Sequence, residues 1–147
     1  MAGLGFDDRF PRMIPSRTHS AIDWVHAGTN FLVGALMWKR NRRAGGAAFF
    51  LGANVLFNTM MTDYEYGIFR VWSFRVHGLL DYGVAATSAV LPTMLGFDDE
   101  PEAAFFHLQG GGEALIAGVS DYDDDSGSRN ARHFELHSGE GRWRVAS

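Results

Sequence analysis

The chain contains no cysteine, which excludes a disulfide framework, a thiolate metal site and a cysteine nucleophile, and leaves the redox compartment undetermined. It has no P-loop, no dinucleotide fingerprint and no G-x-S-x-G elbow, so nothing points to phosphate-cradling or serine-hydrolase chemistry. It has no basic excess either. Thirteen Lys and Arg stand against 17 Asp and Glu, and the arginines are scattered among acids, so no nucleic-acid partner is expected. Proline is scarce, with four residues, whereas glycine is abundant, with 18, a balance that suits close helix packing in lipid. The first 17 residues lack an apolar h-region, which predicts that the first hydrophobic segment serves as its own insertion signal.

Charge is concentrated in residues 1–17, 39–43, 63–75, 98–102 and 121–147. Between these blocks lie four apolar, Gly- and Ala-rich stretches: Thr18–Trp38, Ala44–Thr62, Val76–Gly96 and Glu102–Ser120. Each holds about 20 residues, enough at about 1.5 Å per residue to cover a hydrocarbon layer of about 30 Å. A soluble antiparallel bundle is the competing reading. Residues 44–62 carry no charge and so offer water no face. The fourth stretch is the weakest span, because His107, Gln109 and Glu113 are costly in lipid unless they face the bundle interior. The expected layout is an N-terminal arm (1–17), a two-helix unit (18–62), an interfacial loop rich in Arg and aromatics (63–75), a second two-helix unit (76–120) and a polar tail (121–147). Within the tail, residues 133–146 alternate around a Gly-containing turn and predict a short hairpin.

One spacing organises the whole chain. Arg17-Thr18-His19-Ser20-Ala21-Ile22-Asp23-Trp24 recurs 58 residues later as Arg75-Val76-His77-Gly78-Leu79-Leu80-Asp81-Tyr82. The same shift carries Thr62-Asp63-Tyr64 onto Ser120-Asp121-Tyr122, Gly52 onto Gly110 and Thr29 onto Thr87. Because each unit holds two spans, the copies are expected to insert in the same orientation, related by a pseudo-two-fold axis along the membrane normal. The predicted fold is therefore all-α: a four-transmembrane-helix bundle built from two parallel-oriented helix-hairpin repeats. The paired R-x-H-x-x-[IL]-D-[WY] starts, Thr62-Asp63-Tyr64-Glu65 and the run Leu91–Phe97 give a resemblance to the SPW-repeat family of small bacterial and archaeal membrane proteins. Pro92, Leu95, Gly96 and Phe97 fit that family's pattern, while Leu91 and Thr93 replace its Ser and Trp. The likeness covers about residues 17–122; it implies a membrane-embedded helical fold and no particular activity.

In this arrangement spans one and three start at the membrane face where spans two and four end. His19, Asp23, His77, Asp81, Asp63 and Asp121 then gather near one boundary, and each His–Asp pair, four residues apart, shares a helix face. Imidazole and carboxylate together suit a divalent transition metal such as Zn, Fe or Mn. The same pairs would also satisfy one another with no metal, beside the positive helix N-terminus and a neighbouring Arg. His26, Asn30, Asn54, Asn58 and Glu113, with Ser88, would line a polar track from that face to about the bilayer midplane, or would serve as hydrogen-bonding glue between helices. A haem reading needs two facing histidines at equal depth inside the bundle, whereas His19 and His77 stand at the helix mouths. The Asp121–Asp125 run lacks the Gly and closing Glu of a calcium loop. Nine of the 13 basic residues lie on the side of the termini, so the positive-inside tendency places both termini in the cytoplasm of a multi-pass inner-membrane protein. The leading expectation is a structural or accessory subunit of a membrane complex with no chemistry of its own, partnered by lipid and by other membrane proteins or by itself; the alternative is a small membrane protein that binds a divalent metal or conducts protons or cations through the His/Asp cluster.

Overall fold

The computed structural model describes residues 11–124 and 126–129, so the expected hairpin at 133–146 lies outside the described residues. The described residues form four helices: α1 (Ser16–Trp38), α2 (Arg42–Met61), α3 (Phe74–Leu95) and α4 (Ala103–Val119). Two-residue strands β1 (Thr62–Asp63) and β2 (Trp72–Ser73) pair in parallel between α2 and α3. Each helix boundary follows from local chemistry. The Asn41 side chain accepts from the Ala44 amide to open α2, and Ser73 does the same for Val76 of α3. Gly96 closes α3 in the left-handed conformation (φ 68°), with Phe97 N–H reaching Pro92 C=O and Gly96 N–H reaching Thr93 C=O. That pattern is a Schellman cap, and the buried Phe97 supplies its apolar contact.

α1 packs on α2 and α3 on α4, and the two hairpins meet chiefly where α2 lies against α3. Gly52 and Gly110 permit the close approaches within the hairpins. A Cβ at Gly52 would stand 3.0 Å from Asn30 Cβ, and one at Gly110 would stand 2.8 Å from the Ala85 carbonyl oxygen. At one end of the bundle the core is apolar, built from Ala44, Ala47, Leu51, Leu91, Phe97 and Phe106. There the two short turns clasp each other: Arg40 donates to Glu102, and Arg43 donates to Glu100 and to the Gly96 carbonyl. At the other end the core is polar, and His19, Asp23, Asn58, Thr62, His77 and Asp81 are all buried.

Large apolar side chains stand on the outer surface. Leu32, Leu36, Met94 and Leu108 are 61%, 71%, 73% and 78% exposed, while Asn30 and Ser88 are fully buried. Among the described residues one helix, α2, is long and apolar enough to cross a membrane by length and composition. The four-span expectation meets that test only once, for two physical reasons. α4 has 17 residues, and the buried His, Asp and Asn side chains of α1 and α3 dilute their apolar content.

Segments outside the helices seal the polar end. Loop residues 64–71 are anchored by the β1–β2 pair, in which Thr62 stands opposite Trp72. The segment before α1 repeats that contact on α4: Ile14 bridges to Ser120, and Asp121 N–H donates to Ile14 C=O at 2.9 Å. Shifting 62 and 72 by 58 residues, forward and backward, gives 120 and 14.

Candidate metal centre at the paired histidines

His19 and Asp23 project from the first two turns of α1, and His77 and Asp81 from the first two turns of α3. Their four side chains converge on one buried point. The two Nε2 atoms are 3.2 Å apart. Asp81 Oδ2 lies 3.2 Å from His19 Nε2 and 3.1 Å from His77 Nε2. Asp23 straddles the other side, with Oδ1 3.4 Å from His19 Nε2 and Oδ2 3.1 Å from His77 Nε2. His19, Asp23 and His77 each bring a ligand atom within 4.8 Å of the other two. The two Nε2 atoms and Asp81 Oδ2, 3.1 to 3.2 Å apart, can all stand about 2.0 Å from one point, which is the length of a Zn–N or Zn–O bond.

The surroundings fix which atoms face that point. Ser120 Oγ donates its proton to the Ile116 carbonyl (2.7 Å) and therefore accepts from His19 Nδ1, 2.7 Å away. Thr62 Oγ1 donates to the Asn58 carbonyl (2.6 Å) and therefore accepts from His77 Nδ1 at 2.8 Å, as well as from Trp72 Nε1 at 3.1 Å. With Nδ1 committed as donor in both rings, Nε2 is the atom each ring turns inward, and the neutral form of the ring would present its lone pair there. Partners of this kind orient metal-binding histidines. The carboxylates are braced in the same way. Tyr64 donates to Asp23 Oδ2 at 2.7 Å, and Asn58 Nδ2 donates to Asp81 Oδ1 at 3.0 Å while its own Oδ1 accepts from Trp72. Asp81 Oδ2 is buried, meets no aligned hydrogen-bond donor among the described residues, and points at the two imidazoles. Two carboxylates facing two Nε2 atoms are electrostatically complementary to positive charge between them, carried by a metal ion or by protons on the rings.

Aromatic rings exclude water from above. Phe74 lies 5.0 Å from the His19 ring and 4.7 Å from Tyr122, and Tyr64 lies 5.2 Å from His77. Burial, reinforced by the charge of Asp23, pushes the Tyr64 phenol well above its ordinary range, so it remains a donor. Burial, with Asp81 adding to it, also raises Tyr122. The two tyrosines differ in their bonding. Tyr64 holds Asp23, whereas the Tyr122 hydroxyl is buried without a hydrogen-bond partner among the described residues.

The six sequence candidates separate. The structure brings His19, Asp23, His77 and Asp81 together and places Asp63 and Asp121 outside. Asp63 accepts from Arg70 (3.2 Å), Ser128 Oγ (2.7 Å) and the Arg129 amide (2.9 Å), binding the segment after α4 to the loop. Asp121 lies 3.7 Å from Arg12, again the 58-residue counterpart of the Asp63–Arg70 pair. Both carboxylates level with the centre are thus drawn to arginines of the loop and the arm. Of the track, His26 Nδ1 meets Glu113 Oε2 at 3.0 Å between α1 and α4, and Asn30 is buried one turn further along. Asn58 braces Asp81, and Asn54 turns outward and bonds its own helix at Phe50 C=O. Ser88 donates to the Phe106 carbonyl, and His107 sits exposed near Asp98 at 3.5 Å.

Sequence reasoning missed the Tyr64 brace and the hydroxyl partners of the imidazoles. Thr62-Asp63-Tyr64 and Ser120-Asp121-Tyr122 were visible only as repeat landmarks. No family model, curated protein or solved structure matches the chain.

Proposed function

We propose that this chain is an integral membrane protein whose two helix hairpins hold one divalent transition metal ion between them, through His19, Asp23, His77 and Asp81. The observation that carries the reading is the convergence of two carboxylates to within 3.1 to 3.4 Å of two Nε2 atoms that stand 3.2 Å apart, with both Nδ1 atoms already engaged as donors. Two nitrogen and two oxygen donors suit Zn, Mn or Fe(II) better than Ca or Mg, which prefer oxygen alone. The inverted distribution of side chains, with leucines outside and ionisable groups inside, supports four membrane-spanning helices. α1 to α4 extend about 34, 30, 33 and 25 Å at about 1.5 Å per residue, in the range of the hydrocarbon layer.

The hairpins read as copies of one ancestral unit in parallel orientation, which keeps the likeness to the SPW-repeat family as part of the proposal. Support comes from contacts that exchange under the 58-residue shift: His19–Ser120 with His77–Thr62, Ile14–Ser120 with Trp72–Thr62, and Arg12–Asp121 with Arg70–Asp63. Nine of the 13 basic residues lie on the side of the termini, which favours cytoplasmic termini in an inner-membrane placement.

The test is metal analysis of detergent-purified protein. About one transition-metal ion per chain is expected, lost in His77→Ala and Asp81→Asn and kept in His107→Ala, which lies at the other end of the bundle. Wild-type protein that carries no metal and takes none up from micromolar Zn, Mn or Co would overturn the reading.

A further inference from the structure

The two places where the hairpins meet side by side are built differently, and that difference is informative. On one side α2 lies against α3, and on the other α4 faces α1 with the backbones further apart. The 58-residue shift exchanges these interfaces, so each is an internal control for the other. Along the α2–α3 interface stand Val84 and Ser88 on α3 with Val55 and Leu51 on α2, and the one hydroxyl among them bonds Phe106 C=O at 3.0 Å. The equivalent positions of the α1–α4 seam are His26, Asn30, Glu113 and Gln109. The fold therefore packs this position with valine and leucine on one side, and places an ion pair and two amides there on the other.

These polar groups are not consumed by structure. His26 Nδ1 contacts Glu113 Oε2 at 3.0 Å. The His26 ring also faces Asp23 from one turn above, and the Gln109 amide lies beside it. His26 Nε2, Asn30 Oδ1 and both polar atoms of Gln109 are buried and meet no well-aligned hydrogen-bond partner among the described residues beyond the His26–Gln109 approach itself. Unmet donors and acceptors grouped in this way are what ordered water requires. The group begins about 10 Å below His19 by helical rise. Toward the apolar end from Gln109, Val33 and Met37 of α1 pack against the core cluster that holds the fully buried Phe106 of α4, an apolar plug. Beyond that plug a cavity of about 240 Å³ opens between the end of α1 (Leu36, Met37, Arg40) and the start of α4 (Pro101, Glu102).

We propose that the α1–α4 seam is a gated proton path, in which the His26–Glu113 pair relays protons through water held by Asn30 and Gln109, and the Val33–Met37–Phe106 plug is the gate. Buried ionisable groups followed by an apolar constriction are a recurring way to admit protons while stopping other ions. This path is distinct from the metal centre and does not require the centre to be loaded.

The experiment uses full-length protein in liposomes containing a pH-sensitive dye, with proton entry driven by a potassium diffusion potential. Wild type, Glu113→Gln and Phe106→Ala are compared, with Met37→Ala as the second gate variant should Phe106→Ala not fold. Metal content is measured on the same preparations. Gate variants are expected to acidify the vesicles faster than wild type, and adding Glu113→Gln to a gate variant is expected to return the rate to that of protein-free vesicles. Wild-type and gate-variant rates that both ignore Glu113→Gln would overturn the proposal. Glu113→Gln protein that has lost this flux but keeps its metal separates the path from the centre. Metal-free protein with Glu113-dependent flux would defeat the metal reading alone.

Discussion

Replacing Thr62 by valine removes one oxygen and preserves the side-chain shape. That oxygen accepts from His77 Nδ1 at 2.8 Å and from Trp72 Nε1 at 3.1 Å, and donates to Asn58 C=O at 2.6 Å. Without it the His77 proton has no partner at Nδ1, and the tautomer carrying hydrogen on Nε2 becomes competitive. That tautomer points N–H at His19 Nε2, 3.2 Å away, and withdraws a lone pair from the centre. Loss of such an outer partner weakens metal binding by about 10–100-fold, or about 1.4–2.7 kcal/mol. Trp72 also loses one of its two acceptors but keeps Asn58 Oδ1 at 3.1 Å, so the local fold is expected to hold. Ser120→Ala makes the corresponding change at His19, where Ser120 Oγ stands 2.7 Å from Nδ1, and should weaken binding to a similar degree. Thr62→Ser should restore most of it. Competition against a chromophoric chelator in detergent reads the affinity directly. Folded Thr62→Val protein that binds zinc as tightly as wild type would refute the assignment of Nε2 as the inward ligand atom.

Three further outcomes follow from other parts of the molecule. Partial burial raises the Asp124 carboxyl, but hydrogen bonds from Ser126 and Ser16 outweigh it and hold the group below its ordinary value. The contribution of Asp124 to anchoring the start of α1 is therefore complete above a pH of about 4 and lost as pH falls through the depressed value. Hydrogen exchange at Ser16 N–H, 2.8 Å from Asp124 Oδ2, should accelerate over that acid window, and an Asp124→Ala protein should exchange fast at every pH. Gly110→Ala puts a methyl group 2.8 Å from a backbone oxygen of α3 and should cost on the order of 1–3 kcal/mol in chemical denaturation, whereas Gly111→Ala, which meets open space, should be neutral or stabilising by up to about 1 kcal/mol. Leu32→Asp on the outward surface should impose an insertion penalty of about 2.5–3.5 kcal/mol and reduce the fraction retained in carbonate-washed membranes; unchanged retention would count against a lipid-facing α1.

Much of this arrangement was legible in the sequence, for identifiable reasons. Charge blocks and uncharged runs located the helices to within two residues at each end, because caps such as Asn41, Ser73 and Gly96 sit where composition changes. Spacing by four residues put each His with its Asp, and the 58-residue shift brought the two pairs to one level. Level is not contact, however. Asp63 and Asp121 stand at the same end, but their orientation depends on Arg70 in the loop that follows α2 and on Arg12 in the segment before α1. Asn54 and Asn58 look equivalent by periodicity, yet the first bonds its own helix and the second braces Asp81 across an interface. One sequence period cannot resolve which polar side chain on a helix faces a neighbour when the neighbour's rotation is unknown. The pairing of Tyr64 with Asp23 follows from the β1–β2 contact that fixes the chain leaving α2, a two-residue ladder too short to leave a pattern.

Each hairpin contributes one imidazole and one carboxylate, and the hydroxyl that steadies a given ring is the next residue after the last helix of the other two-span unit for His19 and the residue just before the loop into its own helix for His77. Neither half holds all four groups. A free-standing hairpin would have to dimerise to gather such a set, and the covalent link through residues 62–73 makes that encounter intramolecular and independent of concentration. At the positions that the 58-residue shift exchanges, one lateral seam carries valine and leucine and the other histidine and glutamate.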